Sequence, residues 1–180
     1  NDPNANLAEG HGIACAGIIS AQTNNGEGIA GIAPSCNVMS ISISMDAASL
    51  AEAIRYAADN GADVISNSWG RSEDMPIVNS AIKYALQSGR GGKGCVVVFS
   101  SGNDNTSYVN YPKAADSDII VVGSITPDGL RKEPSSPYGN STQGSNYGDY
   151  LDVVAPGVNI CTTDSLDKFL LPEPADSAHT

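Results

Sequence analysis

One of the two histidines in the chain, His11, stands between Gly10 and Gly12 in "EGHGIACAGIIS", at the threshold of an apolar run. Imidazole is the side chain that exchanges a proton near neutral pH. Glycine on either side lets the backbone turn sharply or come close to another group, which would leave the ring exposed at the mouth of a helix. An ordinary loop histidine fits the same pattern, so the rest of the chain has to decide. Other candidate chemistries fall away. Cys15, Cys36, Cys95 and Cys161 are widely spaced with no C-x-x-C pair, which argues against a metal site. Each lies in or beside an apolar stretch and reads as a small hydrophobe, with a single bridge left open. Gly26, Gly28 and Gly31 match G-x-G-x-x-G, but that fingerprint must open a helix. Pro34, three residues on, forbids a normal helix interior, so nucleotide binding is rejected.

The elements that must position these residues alternate. Residues 13–21 read as a packed helix following His11, and 23–31 as a turn-rich loop. "NVMSISI" at 37–43 alternates apolar and polar residues and predicts a strand. Leu50, Ile54 and Ala57 recur at helical spacing before a stop at Gly61. "ADVISNS" predicts a strand, 77–88 a helix, and "GCVVVFSSG", "DIIVVGSI" and "YLDVVAPG" three further strands. The pattern is that of an α/β fold: a mostly parallel sheet with helices on both faces, in three layers. Chemistry in such folds sits beyond the carboxyl ends of the strands, which points to "SNSWG", "SSGND" and "APG". Residues 164–180 read as a loop or tail.

Bulk composition narrows the classes. At 180 residues, 41% hydrophobic and 16% charged, the chain is long enough for one folded domain with a real core. Nine Lys and Arg against 20 Asp and Glu give a net charge of −11, which argues against a nucleic-acid surface. No apolar run is long enough to span a bilayer. The acidic composition is compatible with a secreted protein, and the start at Asn1 suggests a processed or excised piece.

Four blocks in order resemble the subtilisin-like serine proteases (subtilases, peptidase S8). "HGIACAG" resembles the histidine block His-Gly-Thr-x-x-Ala-Gly with Ile13 in place of threonine, followed by "GIAGIAP". "VISNSWG" resembles the substrate-binding strand and "VVVFSSGND" the strand that delivers the oxyanion asparagine. "SNYGDYLDVVAPGVNICTT" resembles the strand and Ala-Pro-Gly turn leading toward the nucleophile. The resemblance runs from Gly10 to about Thr163 and implies the central part of a subtilase peptidase domain, hydrolysing peptide bonds by acyl transfer. It implies that His11 is the general base and acid, and that Asn103 donates its amide to the tetrahedral oxyanion. Without the resemblance, Asn103 reads as a turn residue. Ser68, Trp69 and Gly70 would form one wall of the cleft, pairing with extended substrate, and Ser101 and Gly102 the opposite wall. Cys15 would be a packing thiol beneath the histidine.

The sequence also departs from the family. Asp2, the sole aspartate before His11, is followed by Pro3 rather than set in Asp-[Ser/Thr]-Gly, and no Gly-Thr-Ser-x-Ala occurs. Ser177 lies at a plausible distance beyond Gly157 but lacks every flanking feature. The expectation is therefore a chain that carries base and oxyanion donor, inactive alone, with acid and nucleophile supplied by other segments of a parent protease. The alternative is a catalytically degenerate domain binding extended peptides. No cofactor is required by the resemblance. Calcium, common in the family after the histidine helix, would be at most weakly bound through Asn24 and Asn25, because hard cations need 6–8 oxygens. "SNSWGRSED" and "GRGGKGCVVVFSSGN" resemble the kexin and furin branch, in which Glu73 and Asp74 would fall near the acidic pocket for a basic residue before the cut. The other reading of Glu73 and Asp74 is a solvated acidic turn.

Overall fold

Leucine, alanine and isoleucine between residues 7 and 20 favour helix over the three interspersed glycines, and α1 runs Leu7–Ser20. His11 thus lies inside the helix rather than at its mouth, a correction to the expectation drawn from its flanking glycines. The structure, a computed structural model, describes residues 7–108, 111–112 and 115–163. It divides into two units, Asn1–Ser42 with Asn159–Thr180, and Ile43–Val158.

In the first unit, tertiary partners fix α1. The last carbonyls of a helix have no intrahelical donor; here Ile32 N–H donates to Ile18 O at 2.9 Å, Ala33 N–H to Ile19 O at 2.7 Å, and Gly31 N–H to Ala21 O at 2.9 Å. Gly31 is required there, since a Cβ would come within 2.4 Å of Ala21 N. The hydroxyls of Thr162 and Thr163 donate to Ala14 O and Ile13 O. The strand expected at 37–43 does not form. Val38 and Met39 are 47% and 41% exposed, and among the described residues no strand pairs with this segment. Alternation alone cannot hold a strand whose N–H and C=O groups meet no ladder.

The second unit is a four-stranded parallel sheet in the order β1 (Val64–Asn67), β2 (Val96–Ser100), β3 (Ile120–Ile125), β4 (Val153–Pro156). Register pairs Asn67 with Phe99, Phe99 with Val121, and Gly123 with Val154. α2 (Ala47–Asp59) starts on Asp46, whose Oδ1 accepts from Ala48 N and Ser49 N. It stops at Gly61, with φ +86°, where Ala62 N–H returns to Ala57 O. α3 (Pro76–Gly92) begins with proline at its first turn and leaves helical geometry at Gly89. α2 packs on α3, and α3 on β2. Leu50, Ile54, Val78, Ile82, Val97, Phe99 and Val121 make the buried core. On the opposite face of the strands Val64, Val96 and Ile120 are 36–56% exposed.

Candidate active site

All four strands are parallel, so their carboxyl ends lie along one edge, and the segments that follow them gather there. Ser68, Trp69 and Gly70 leave β1 outside the ladders. Asn67 holds them: its Nδ2 donates to Ile65 O and Val98 O, and its Oδ1 accepts from Trp69 Nε1 at 3.0 Å. The Trp69 ring stands edge-on to Phe99, centroids 5.1 Å apart, a favourable aromatic geometry. Beyond Gly70 the chain is tied to Tyr111, which accepts from Arg71 N–H at 3.0 Å and donates its Oη to Met75 O at 2.9 Å. Burial, helped by the Asp74 charge, pushes the Tyr111 phenol up to about 12.

The segment after β2 carries Ser101, Gly102 and Asn103. Ser101 is buried, with its Oγ 3.1 Å from Ser145 Oγ, so it faces the protein interior. Gly102 has φ +101°, and a Cβ there would meet Asn146 Nδ2 at 2.6 Å; both the conformation and the space demand glycine. Asn103 is exposed. Its backbone carbonyl accepts from Gly144 N–H at 3.1 Å, which fixes the main chain at this exposed residue. Residues 144–146 strap this loop, and sequence reasoning missed them, because Asn146 in "GSNYG" reads as one more turn asparagine. Arg131, also missed, donates Nη1 to Asn105 Oδ1 and to Ser145 O, both at 2.7 Å, and Nη2 to Glu133 at 2.6 Å. Its guanidinium lies 4.4 Å over the Tyr147 ring. Nothing local in the sequence signals this role, because its neighbours in "GLRKEP" include no aromatic and Tyr147 is met only through the fold.

Gly157 follows β4, and its N–H donates to Ile125 O. A Cβ at Gly157 would lie 2.2 Å from Ser124 Oγ, so the Ala-Pro-Gly turn packs tightly against the end of β3. Glu73 is exposed, and neither it nor Arg71 is in an ion pair among the described residues. Asp74 accepts from Asn79 Nδ2 at 2.8 Å. A concavity of about 410 Å³ on α2, lined by Ala48, Arg55, Tyr56 and Ile77 among others, contains no candidate site residue.

His11 belongs to the other unit. It is exposed, and Cys15 Sγ, one turn on, lies 3.8 Å from its Nε2. A Cβ added at Gly10 or Gly12 would meet nothing within 4 Å, so the helix is open on both sides of the imidazole. In the same unit residues 22–30 enclose an open concavity of about 220 Å³. Asn24, Asn25 and Glu27 bring hard oxygen donors to it, but Asn25 Oδ1 already accepts from Glu27 N–H at 3.0 Å. Among the described residues no three His, Cys, Asp or Glu side chains cluster as metal ligands, and no cysteine forms a disulfide. Asp2, Ser177 and the tail 164–180 lie outside the described residues.

The subtilase family, peptidase S8, matches residues 1–177. The chain is 36% identical over 164 residues to the thermophilic serine proteinase of Bacillus sp. (strain AK1), covering 88% of this chain and 37% of that protein. It is 35% identical over 149 residues to the calcium-dependent protease of Trichormus variabilis, covering 73% and 22%. The solved prenylagaramide maturation protease PagA superposes with a TM-score of 0.69 over 90% of this chain and 57% of that one, at 23% identity, a likeness of fold. The chain therefore belongs to the subtilase family and has the α/β fold of subtilisin-like proteases. It spans well under two thirds of the length of these relatives.

Proposed function

We propose that this chain is the part of a subtilisin-like serine endopeptidase that carries the general base, His11, and the oxyanion donor, Asn103. The observation that carries the reading is Asn103 itself: an exposed carboxamide at the carboxyl end of a central strand, on a loop whose backbone is bonded on both sides. In this reading a serine hydroxyl from a segment outside these residues attacks the peptide carbonyl. His11 takes the hydroxyl proton and passes it to the leaving amine, so the peptide C–N bond breaks as the acyl-enzyme forms. Asn103 Nδ2–H donates to the oxygen that gains the negative charge. Ser68, Trp69 and Gly70 hold the substrate backbone, and Ser101 and Gly102 shape the facing wall through their main chain. The substrate is a peptide or protein. The setting is extracellular, which suits the acidic composition; no described helix is long and apolar enough to cross a membrane. No cofactor is required in this reading, and calcium would bind at most weakly at the 22–30 loop, where Asn24, Asn25 and Glu27 offer oxygens and Asn25 Oδ1 is already engaged.

The test is made on the full-length protease that contains this chain. Asn103→Ala should lower kcat about 10²–10³-fold with KM little changed, the usual cost of losing one oxyanion donor. A kcat equal to wild type would overturn the reading.

A further inference from the structure

We propose that Asn146 is a positioning residue that holds Asn103 where the oxyanion forms; the inference rests on the oxyanion reading of Asn103. Asn146 is fully buried, at 0% exposure. Its Oδ1 accepts from Asp104 N–H at 2.9 Å and from Thr106 N–H at 3.2 Å. Its Nδ2 donates to Asp104 Oδ2 at 3.2 Å, and its own N–H donates to Gly102 O at 3.0 Å. One side chain and its backbone therefore grip the residue before Asn103 and the residue after it. Gly144 N–H holds the Asn103 carbonyl between them.

An asparagine that only filled space would not need both ends of its carboxamide aimed at this loop. A buried amide gains little net energy from its bonds, but leaving its partners unmade is costly. Removing its side chain frees the N–H donors of Asp104 and Thr106, on the stretch directly after the residue whose amide is meant for the oxyanion. An oxyanion donor acts only if it sits within hydrogen-bond distance of the oxygen in the transition state. Substrate binding in the ground state makes no such demand, so the loss should appear in kcat.

The experiment is a double-mutant cycle on the full-length protease, with Asn103→Ala, Asn146→Ala and the pair. Asn146→Ala should lower kcat roughly 10- to 100-fold, the scale of a misplacement of about 1 Å, with KM nearly unchanged. Affinity for a peptide aldehyde, which forms a tetrahedral adduct, should fall by the same factor. In the Asn103→Ala background the Asn146 change should cost no more than about twofold, because the donor it positions is already gone. If Asn146→Ala does not fold, Asn146→Asp, which sets two carboxylates together, replaces it. Adding Asp104→Asn, which restores the pair with reversed polarity and keeps the acceptor, should recover most of the lost rate. An additive cost in the cycle, a loss confined to KM, or no rescue by the exchanged pair would overturn the positioning role. An unchanged kcat in Asn103→Ala alone would overturn the oxyanion reading beneath it.

Discussion

The indole Nε1–H of Trp69 donates to Oδ1 of Asn67 at 3.0 Å, while the same asparagine's Nδ2 donates to carbonyls on its own strand and on β2. A buried side chain in the sheet thus sets the direction in which the chain leaves it. Asn67→Ala should destabilise the domain by about 1–3 kcal/mol, the cost of leaving buried polar partners unmade. Trp69 is the single tryptophan of the chain, so its emission reads the same event. Loss of the Asn67 acceptor should move it to longer wavelength, and an unshifted spectrum with unchanged stability would refute the link.

Much of the fold was legible in the sequence because the signals were local. β-branched runs such as "CVVVF" and the spacing of Leu50, Ile54 and Ala57 need no distant partner to be read, and β1 to β4, α2 and α3 fall where they pointed. Residues 37–43 failed because a strand is a property of two segments, and alternation reports only one. His11 was misplaced by taking Gly10 and Gly12 as a turn, when the helix formers around them extend α1 back to Leu7. The loop that carries Asn103 was legible as the segment after an apolar strand. The role expected of Asn103 came only from the family resemblance, since by itself it reads as a turn residue. Asn146 and Arg131 were not legible, because they reach Asn103's loop from about 30 to 40 residues further along the chain, through contacts that no period encodes.

Tyr111 makes the second unit sensitive to alkali. Its phenol is raised to about 12, chiefly by burial and then by Asp74, so the folded state keeps a proton that the unfolded chain releases near 10. The stability this contributes is fully present below pH 10 and is lost as pH rises through about 12. Tyr111→Phe should flatten that part of the alkaline limb in chemical-denaturation curves. Some slope should remain, since hydrogen bonds to Asp59 and Asp128 also raise Tyr84 and Tyr138. An identical limb in Tyr111→Phe would refute the assignment.

Calcium should bind this chain weakly, although a relative carries calcium dependence in its name. The loop of residues 22–30 has Glu27 as its one carboxylate, and one of its carboxamide oxygens is already engaged. Six to eight oxygens are needed for a tight site. Calorimetric titration of the 180-residue chain should give a dissociation constant well above the micromolar range; micromolar affinity would refute this.

A fluorophosphonate probe should leave the 180-residue chain unlabelled while labelling the full-length protease. The probe reports an activated serine, and the chain contains no Gly-Thr-Ser-x-Ala. Stoichiometric labelling at Ser177, mapped by mass spectrometry of the tryptic peptides, would instead place the nucleophile within these residues.

The full-length protease should favour a basic residue immediately before the scissile bond. Glu73 follows the Ser68–Gly70 segment proposed to hold substrate; it is exposed, and no cation pairs with it among the described residues. Asp74 is bonded to Asn79, which leaves Glu73 as the carboxylate open to a ligand. Arg71, the nearest basic residue in sequence, donates its backbone N–H to Tyr111 but makes no ion pair with Glu73. An arginine side chain reaching Glu73 would form a charge-assisted, bidentate pair, roughly twice as strong as a neutral hydrogen bond. Because Glu73 stays partly in water, the preference should be modest, on the order of tenfold in kcat/KM for arginine over leucine, and it should weaken as salt is raised. Glu73→Gln should remove most of it while leaving the leucine substrate unchanged. Equal rates for the two substrates, or an arginine preference that survives Glu73→Gln, would show that Glu73 belongs to a solvated turn and that specificity is set elsewhere.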